Sequence, residues 1–157
     1  ALRFTILTAA RSGEVRGMVW DEVDLSARLW VIPAERMKAG REHRIPLSDA
    51  AVALLRQQEQ VLLAGVNLVF PSVRDHKPLS DMTLTAVLRR MQRNDLTVHG
   101  FRSTFRDWAA EATDYPQEMA EMALAHVVSN KVEAAYRRGD MLEKRREMMQ
   151  KWAEFIL

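Results

Sequence analysis

Two short β-rich runs inside an otherwise helical chain constrain the fold most. Leu29-Trp30-Val31-Ile32 and His43-Arg44-Ile45-Pro46-Leu47 carry the β-branched and aromatic residues that suit a pleated, half-buried surface. A polar, glycine-containing segment separates them, so they read as a hairpin in which Gly40 supplies a positive φ. The stretch from Trp20 to Leu25 reads as a further short strand leading into a turn.

Around that hairpin the apolar spacing is helical. Residues 1 to about 17 read as one helix whose C-terminal half carries Arg11 and Glu14. Ser48 is a good N-cap for a helix bearing Val52, Leu55 and Leu62, with Gly65 as its stop. Val69-Phe70-Pro71 and the His76-Lys77-Pro78 region read as loop. Ser80 caps a helix through about Gln92 that turns Leu84, Val87, Leu88 and Met91 inward. Another helix starts near Val98, and Pro116 suits the first turn of one running to about His126. Capping-box patterns at Asn130 and Asp140 open a short helix bearing Tyr136 and a last helix with Leu142, Met149, Trp152 and Ile156 on one face. That face docks either on its own subunit or on a neighbour. The expected architecture is mainly α with a small antiparallel β-sheet. At 157 residues and 48% apolar composition, the chain can bury one core as a single domain over residues 1–157.

Composition permits several partners and selects none. No apolar run approaches a membrane span, and the lack of cysteine excludes disulfides and thiolate metal sites. Net charge is only +2, with a pI of about 9.2. Nucleic-acid affinity follows local neutralisation of phosphates rather than the total. Arginine outnumbers lysine 18 to 5, and guanidinium groups hold phosphate bidentately.

The residues able to carry chemistry form an ordered set. Arg11 lies in Thr8-Ala9-Ala10-Arg11-Ser12-Gly13-Glu14, and Lys38 in the turn-like Met37-Lys38-Ala39-Gly40. His99-Gly100-Phe101-Arg102 follows, then Leu124-Ala125-His126, and finally Tyr136. On a helix His99, Arg102 and Arg106 share a narrow sector, with Phe101, Phe105 and Trp108 roughly opposite. One face is therefore expected in the core and a basic face presented. Cations of this kind can neutralise a phosphodiester, and a tyrosine hydroxyl can attack one. A phenol with an ordinary pKa near 10 needs a base or neighbouring cations to do so. The carboxylates Asp21, Glu22 and Asp24 have no second acidic cluster to work with and read as solvated.

The set, in this order, resembles the catalytic domain of the tyrosine recombinases, the phage integrase family. The Ala-Arg-Ser-Gly-Glu and Met-Lys-Ala-Gly-Arg-Glu-His-Arg segments look like prophage-type integrases that insert elements at tRNA genes. The resemblance implies a catalytic set of Arg11, Lys38, His99, Arg102, His126 and Tyr136. Tyr136 is the nucleophile, Lys38 the acid toward the leaving 5′ oxygen and His99 a base or donor. Glu14 supports the site or forms a helix-surface salt bridge. Arg36, Arg41, Arg44 and Arg106 are expected to touch the DNA backbone, and His43 and His76 to lie at the surface or face DNA. Alanine stands at 125 where the family usually has glycine, a position where positive φ is expected.

The implied reaction is site-specific recombination through a covalent 3′-phosphotyrosine, with no metal and no cofactor, for integration or excision of a prophage or genomic island. The implied partners are double-stranded DNA attachment sites and three further copies in a homotetramer on DNA, from a monomer when free. The implied location is the bacterial cytoplasm, at the nucleoid when bound. The chain opens at Ala1 rather than methionine, so further N-terminal DNA-binding domains are expected to be missing. Two other readings stay open. One is a type IB topoisomerase-like enzyme that reseals the original strand, the other a DNA-binding module of the same fold that does not cut.

Overall fold

A computed structural model of the chain describes residues 1–126 and 139–157. The first helical stretch is broken. Helix α1 (Leu2–Thr8) ends at Ala9, which takes a left-handed conformation (φ 49°), and α2 (Ser12–Arg16) restarts from an extended Arg11. The break corrects the single helix expected over 1–17. Its cause is Glu14, whose carboxylate accepts from the Arg11 amide at 2.7 Å and so caps a second helix start.

A 3-10 turn (Trp20–Glu22) occupies most of the expected first strand and leaves β1 as Val23–Asp24. With β2 (Leu29–Ile32) and β3 (His43–Pro46) it forms a three-stranded antiparallel sheet in the order β1-β2-β3. Trp30 pairs with Ile45 and Ile32 with His43. The alternation of the pleat sends all four of these side chains inward, where each is buried. Residues 33–42 link β2 to β3 through a 3-10 turn (Ala34–Arg36) and an exposed tip at Lys38–Gly40, where Gly40 has φ 62°.

Helix α3 (Asp49–Glu59) starts at Ser48, whose Oγ accepts from the Ala51 amide at 3.3 Å. It stops before Leu62, which is 50% exposed, so the expected extension to Gly65 is corrected. Helix α4 (Thr83–Arg90) buries Leu84 and Leu88 but leaves Met91 in solvent. Helices α5 (Gly100–Glu111) and α6 (Gln117–Ala123) pack against each other, and α7 (Leu142–Ile156) packs on them.

The core has two lobes. One packs Phe4, Leu7, Trp30, Ile32, Ile45 and Leu55 around the sheet. The other packs Phe105, Trp108, Met119, Leu124, Met149 and Trp152 between α5, α6 and α7. Phe105 meets Trp152 edge-on at 5.3 Å, and the Trp152 indole donates to the Ile6 carbonyl at 2.8 Å. Helix α7 thus docks on its own chain, because its buried face completes the second lobe. Arg145 of α7 is fully buried and donates to the Arg44 carbonyl of β3 at 2.8 Å, tying α7 to the sheet. Among the described residues no helix is long and apolar enough to cross a membrane.

Candidate active site

Arg11 and Glu14 sit where α2 begins. Besides capping the helix, the buried Glu14 carboxylate holds Arg11 Nη1 at 2.8 Å, so Arg11 is fixed but still partly open to solvent. Arg36 reaches the same corner from the β2–β3 connection. It donates to the Glu14 carbonyl at 2.5 Å and to both oxygens of Glu22, whose carboxylate also accepts from the Trp30 indole at 3.0 Å. The connection that carries Lys38 is thereby tied to the start of α2.

Arg102 lies on α5 and is 4% exposed. The expectation of a presented basic face is corrected here, because neighbouring helix ends cover this residue. Its Nη1 donates to the Ala9 carbonyl and its Nη2 to the Leu124 carbonyl at 2.7 Å. These carbonyls end α1 and α6, where the helix leaves oxygens unpaired and a partial negative charge. Both ends are shaped alike. Ala9 and Ala125 are left-handed, with φ 49° and 50°. At the second end Ala125 N donates to Met122 O and His126 N to Glu121 O, which turns the chain back toward Arg102. An alanine in this conformation costs about 1 kcal/mol relative to glycine. The departure at Ala125 therefore leaves the turn geometry intact and adds strain. Burial, then the nearby Arg11 charge, pull the Arg102 guanidinium down to about 10, so it remains charged at neutral pH.

His126 follows that turn. Its Nδ1 donates to Glu121 Oε2 at 2.6 Å, and Arg102 Nη2 lies 3.5 Å from its Nε2. The other Glu121 oxygen is 2.7 Å from Arg106 Nε. Arg11, Glu14, Arg36, Lys38, His99 and Arg102 line one open cleft of about 370 Å³. His99 stands at its rim as the residue before α5, exposed, and Lys38 hangs over it from the exposed tip. The wall is cationic with one buried carboxylate, a surface that can take up an anion and stabilise further negative charge on it.

The structure thus brings Arg11, Lys38, His99 and Arg102 to one cleft, with His126 against Arg102 and Glu14 supporting Arg11. Tyr136 lies outside the described residues. Tyr115, the other tyrosine, packs on the helical lobe with Lys151 Nζ 5.4 Å from its ring centroid. Of the arginines expected to touch DNA, Arg41 is exposed on the tip and Arg106 is half-exposed beside Glu121. Arg36 is held by Glu22 and the Glu14 carbonyl, partners that the expected DNA-backbone contact did not foresee. Arg44 is gripped by Asp140, at 2.9 Å to Oδ2 from Nε and 2.7 Å to Oδ1 from Nη2.

His43 also differs from expectation. It is 9% exposed and its Nε2 donates to the Ala123 carbonyl at 3.2 Å, since a carbonyl can only accept. Burial, reinforced by the Arg145 charge, pulls its pKa down to about 4. Strand alternation with Ile45 was the signal that could have placed it inside. The three acidic residues of the first turn have structural partners. Glu22 pairs with Arg36, Asp24 Oδ1 accepts from the Ala27 amide at 2.7 Å, and Asp21 accepts from Asn67 at 2.8 Å. Glu121 and Asp140 were not legible as site residues. Glu121 precedes His126 by five residues, which no helical periodicity brings to one face. Only the left-handed turn at Ala125 folds the imidazole back onto it.

A sequence model described as the phage integrase family matches residues 1–143. The chain is 41% identical to the prophage integrase IntA of Escherichia coli K12 over 96% of its own length and 37% of that protein. It is 38% identical to the prophage integrase IntZ of the same strain, covering 99% of this chain and 39% of IntZ. It is 35% identical to the integrase of Enterobacteria phage P4, again over 99% and 39%. The chain thus spans about two fifths of the length of the curated relatives it matches. Among solved structures, a lambda integrase dimer bound to a COC′ core site superposes with TM-score 0.58 at 22% identity, over 88% of this chain and 50% of that one. The Tn1549 transposon integrase in complex with circular intermediate DNA gives 0.56 at 14%, over 87% and 56%. These two establish the fold alone, which is mainly helical with a small antiparallel sheet. Match, identity and fold agree: the chain belongs to the phage integrase family of tyrosine recombinases, as its catalytic domain.

Proposed function

We propose that this domain cuts and rejoins double-stranded DNA at attachment sites through a covalent 3′-phosphotyrosine, in the integration and excision of a prophage or genomic island. The observation that carries the reading is the convergence of Arg11, Lys38, His99 and Arg102 on one cleft, with His126 against Arg102. The prophage and phage integrases it resembles supply the element, and the two solved relatives described with DNA supply the partner.

In this mechanism the Tyr136 oxygen attacks the scissile phosphorus in line and its proton passes to His99. A tyrosyl O–P bond forms, the bond to the 5′ oxygen breaks, and Lys38 protonates that oxygen as it leaves. Arg11 and Arg102 hold the non-bridging oxygens and His126 donates to one of them; these oxygens gain charge in the transition state, so fixed donors favour that state over the ground state. The covalent link conserves the phosphodiester, so a 5′ hydroxyl from a partner duplex reseals it. Four copies on two duplexes allow strands to exchange in pairs.

A suicide duplex bearing the cognate attachment site, incubated with the protein in EDTA, tests this on a denaturing gel. The expected result is a protein–DNA adduct that forms in EDTA and is absent with Tyr136→Phe. A protein that binds that duplex and gives no adduct, in the intact protein as well, is a binding module and not a recombinase.

A further inference from the structure

Glu121 belongs to no residue pattern that pointed to the site, yet it is the residue that fixes His126. Its side chain is 19% exposed and both its oxygens face cations or donors, Arg106 Nε at 2.7 Å and His126 Nδ1 at 2.6 Å. Arg102 and Arg106 lie one turn apart on α5. They bracket the Glu121–His126 pair at the end of α6, one touching the imidazole and the other the carboxylate.

We propose that Glu121 is a positioning residue for His126, setting which ring nitrogen carries the proton and holding the other toward the Arg102 wall of the cleft. The inference rests on the recombinase reading and deepens it. An ionised carboxylate can only accept, so the nitrogen facing it, Nδ1, bears a hydrogen in the neutral ring and in the cation alike. Nε2 is therefore the nitrogen left for the cleft. That nitrogen faces Arg102 Nη2 at 3.5 Å, a donor that cannot accept. Without Glu121 the ring is free to rotate and to protonate at Nδ1 or Nε2, and the nitrogen facing the cleft is no longer defined. The Arg106 charge stands 2.7 Å from the second carboxylate oxygen as an ion pair without an aligned hydrogen bond, and the αL turn at Ala125 fixes the backbone from which the imidazole projects.

The test has a readout on the protein itself and one on the reaction. Long-range proton–nitrogen correlation spectra of histidine-labelled protein, assigned with His126→Asn, report the tautomer. The wild type is expected to show Nδ1–H, and Glu121→Ala to lose it. At saturating suicide substrate the adduct-forming rate of Glu121→Ala is expected to fall at least about tenfold, a part of what one positioned donor to the developing charge contributes, while the DNA Kd stays within about twofold. Glu121→Gln, whose amide oxygen still accepts from Nδ1, is expected to recover most of the rate. Should Glu121→Ala fail to fold, Arg106→Ala loosens the same carboxylate on an exposed face and is expected to slow the adduct by about two- to fivefold. An Nε2–H tautomer in the wild type, or a Glu121→Ala protein with unaltered tautomer and rate, overturns the proposal. An adduct that survives Tyr136→Phe instead overturns the nucleophile assignment, and the tautomer alone then decides the role of Glu121.

Discussion

The two sides of the cleft are built in opposite ways. On the helical side Arg102 is buried, its fork closed on the terminal carbonyls of α1 and α6, and His126 is held between Glu121 and Arg102. On the hairpin side Lys38 is exposed at a tip, and only the root of its connection is anchored, by Arg36. Groups that stabilise charge act best when fixed in advance. A group that must deliver a proton to a leaving oxygen needs reach, which an ammonium on a flexible stem supplies. The difference teaches that, in the proposed mechanism, folding itself assembles the charge-stabilising half, whereas the acid is only hung nearby.

The comparison breaks most readily from beneath. Trp152 fills the lobe under α5 and touches Phe105 and Trp108, so Trp152→Ala is expected to cost about 3–5 kcal/mol, read as a lowered urea midpoint. A tolerant midpoint would mean that α7 is not part of this core. Arg102→Ala comes next. Leaving the Ala9 and Leu124 carbonyls without their donor is expected to cost about 2 kcal/mol. The adduct-forming rate is expected to fall about a hundredfold or more.

His43 joins the two sides, from β3 to the end of α6, and its effect depends on pH. Its pKa is depressed in the fold from the ordinary 6.5 to about 4. Below pH 6.5 the unfolded chain takes up a proton that the fold refuses. The stability is therefore complete above pH 6.5 and is lost as pH falls toward about 4, by roughly 3 kcal/mol. Melts at pH 7 and pH 4.5 check this, with His43→Gln expected to show a smaller loss than the wild type.

Lys38→Ala sharpens the contrast from the other side. Its melting is expected to stay within about 0.5 kcal/mol of wild type, while strand cleavage falls by about a hundredfold or more. A 5′-thiol leaving group, which needs no proton, should restore the rate. The smallest effect is expected at Ala125→Gly. Relief of the left-handed alanine is expected to stabilise by up to about 1 kcal/mol with the His126 position unchanged, measured as a raised melting temperature.

Much of this was readable in advance where a local rule governs. The hairpin strands, the Ser48 cap and the apolar faces of α5 and α7 follow from residue type and spacing. Arg11, Lys38, His99, Arg102 and His126 followed from their order. The break at Ala9 was missed because an alanine reads as a helix former, while the Glu14 cap that favours a new helix start appears only in its hydrogen bonds. The intramolecular partners of Arg36 and Arg44 were not foreseen, because a sequence shows a charge and not its partner. Glu22 and Asp140 lie 14 and 96 residues away along the chain.

By itself the sequence determined the fold class and the family and singled out candidate site residues, because periodicity and motif order are local or ordinal properties. Only the tertiary structure decided which cations are buried and which are free. Burial of Arg102, the contact of Glu121 with His126 and the inward turn of His43 arise where helix ends and strands meet in the fold. Electrostatic environment is a property of that meeting, since it depends on what surrounds a charge in space rather than on what flanks it in the chain.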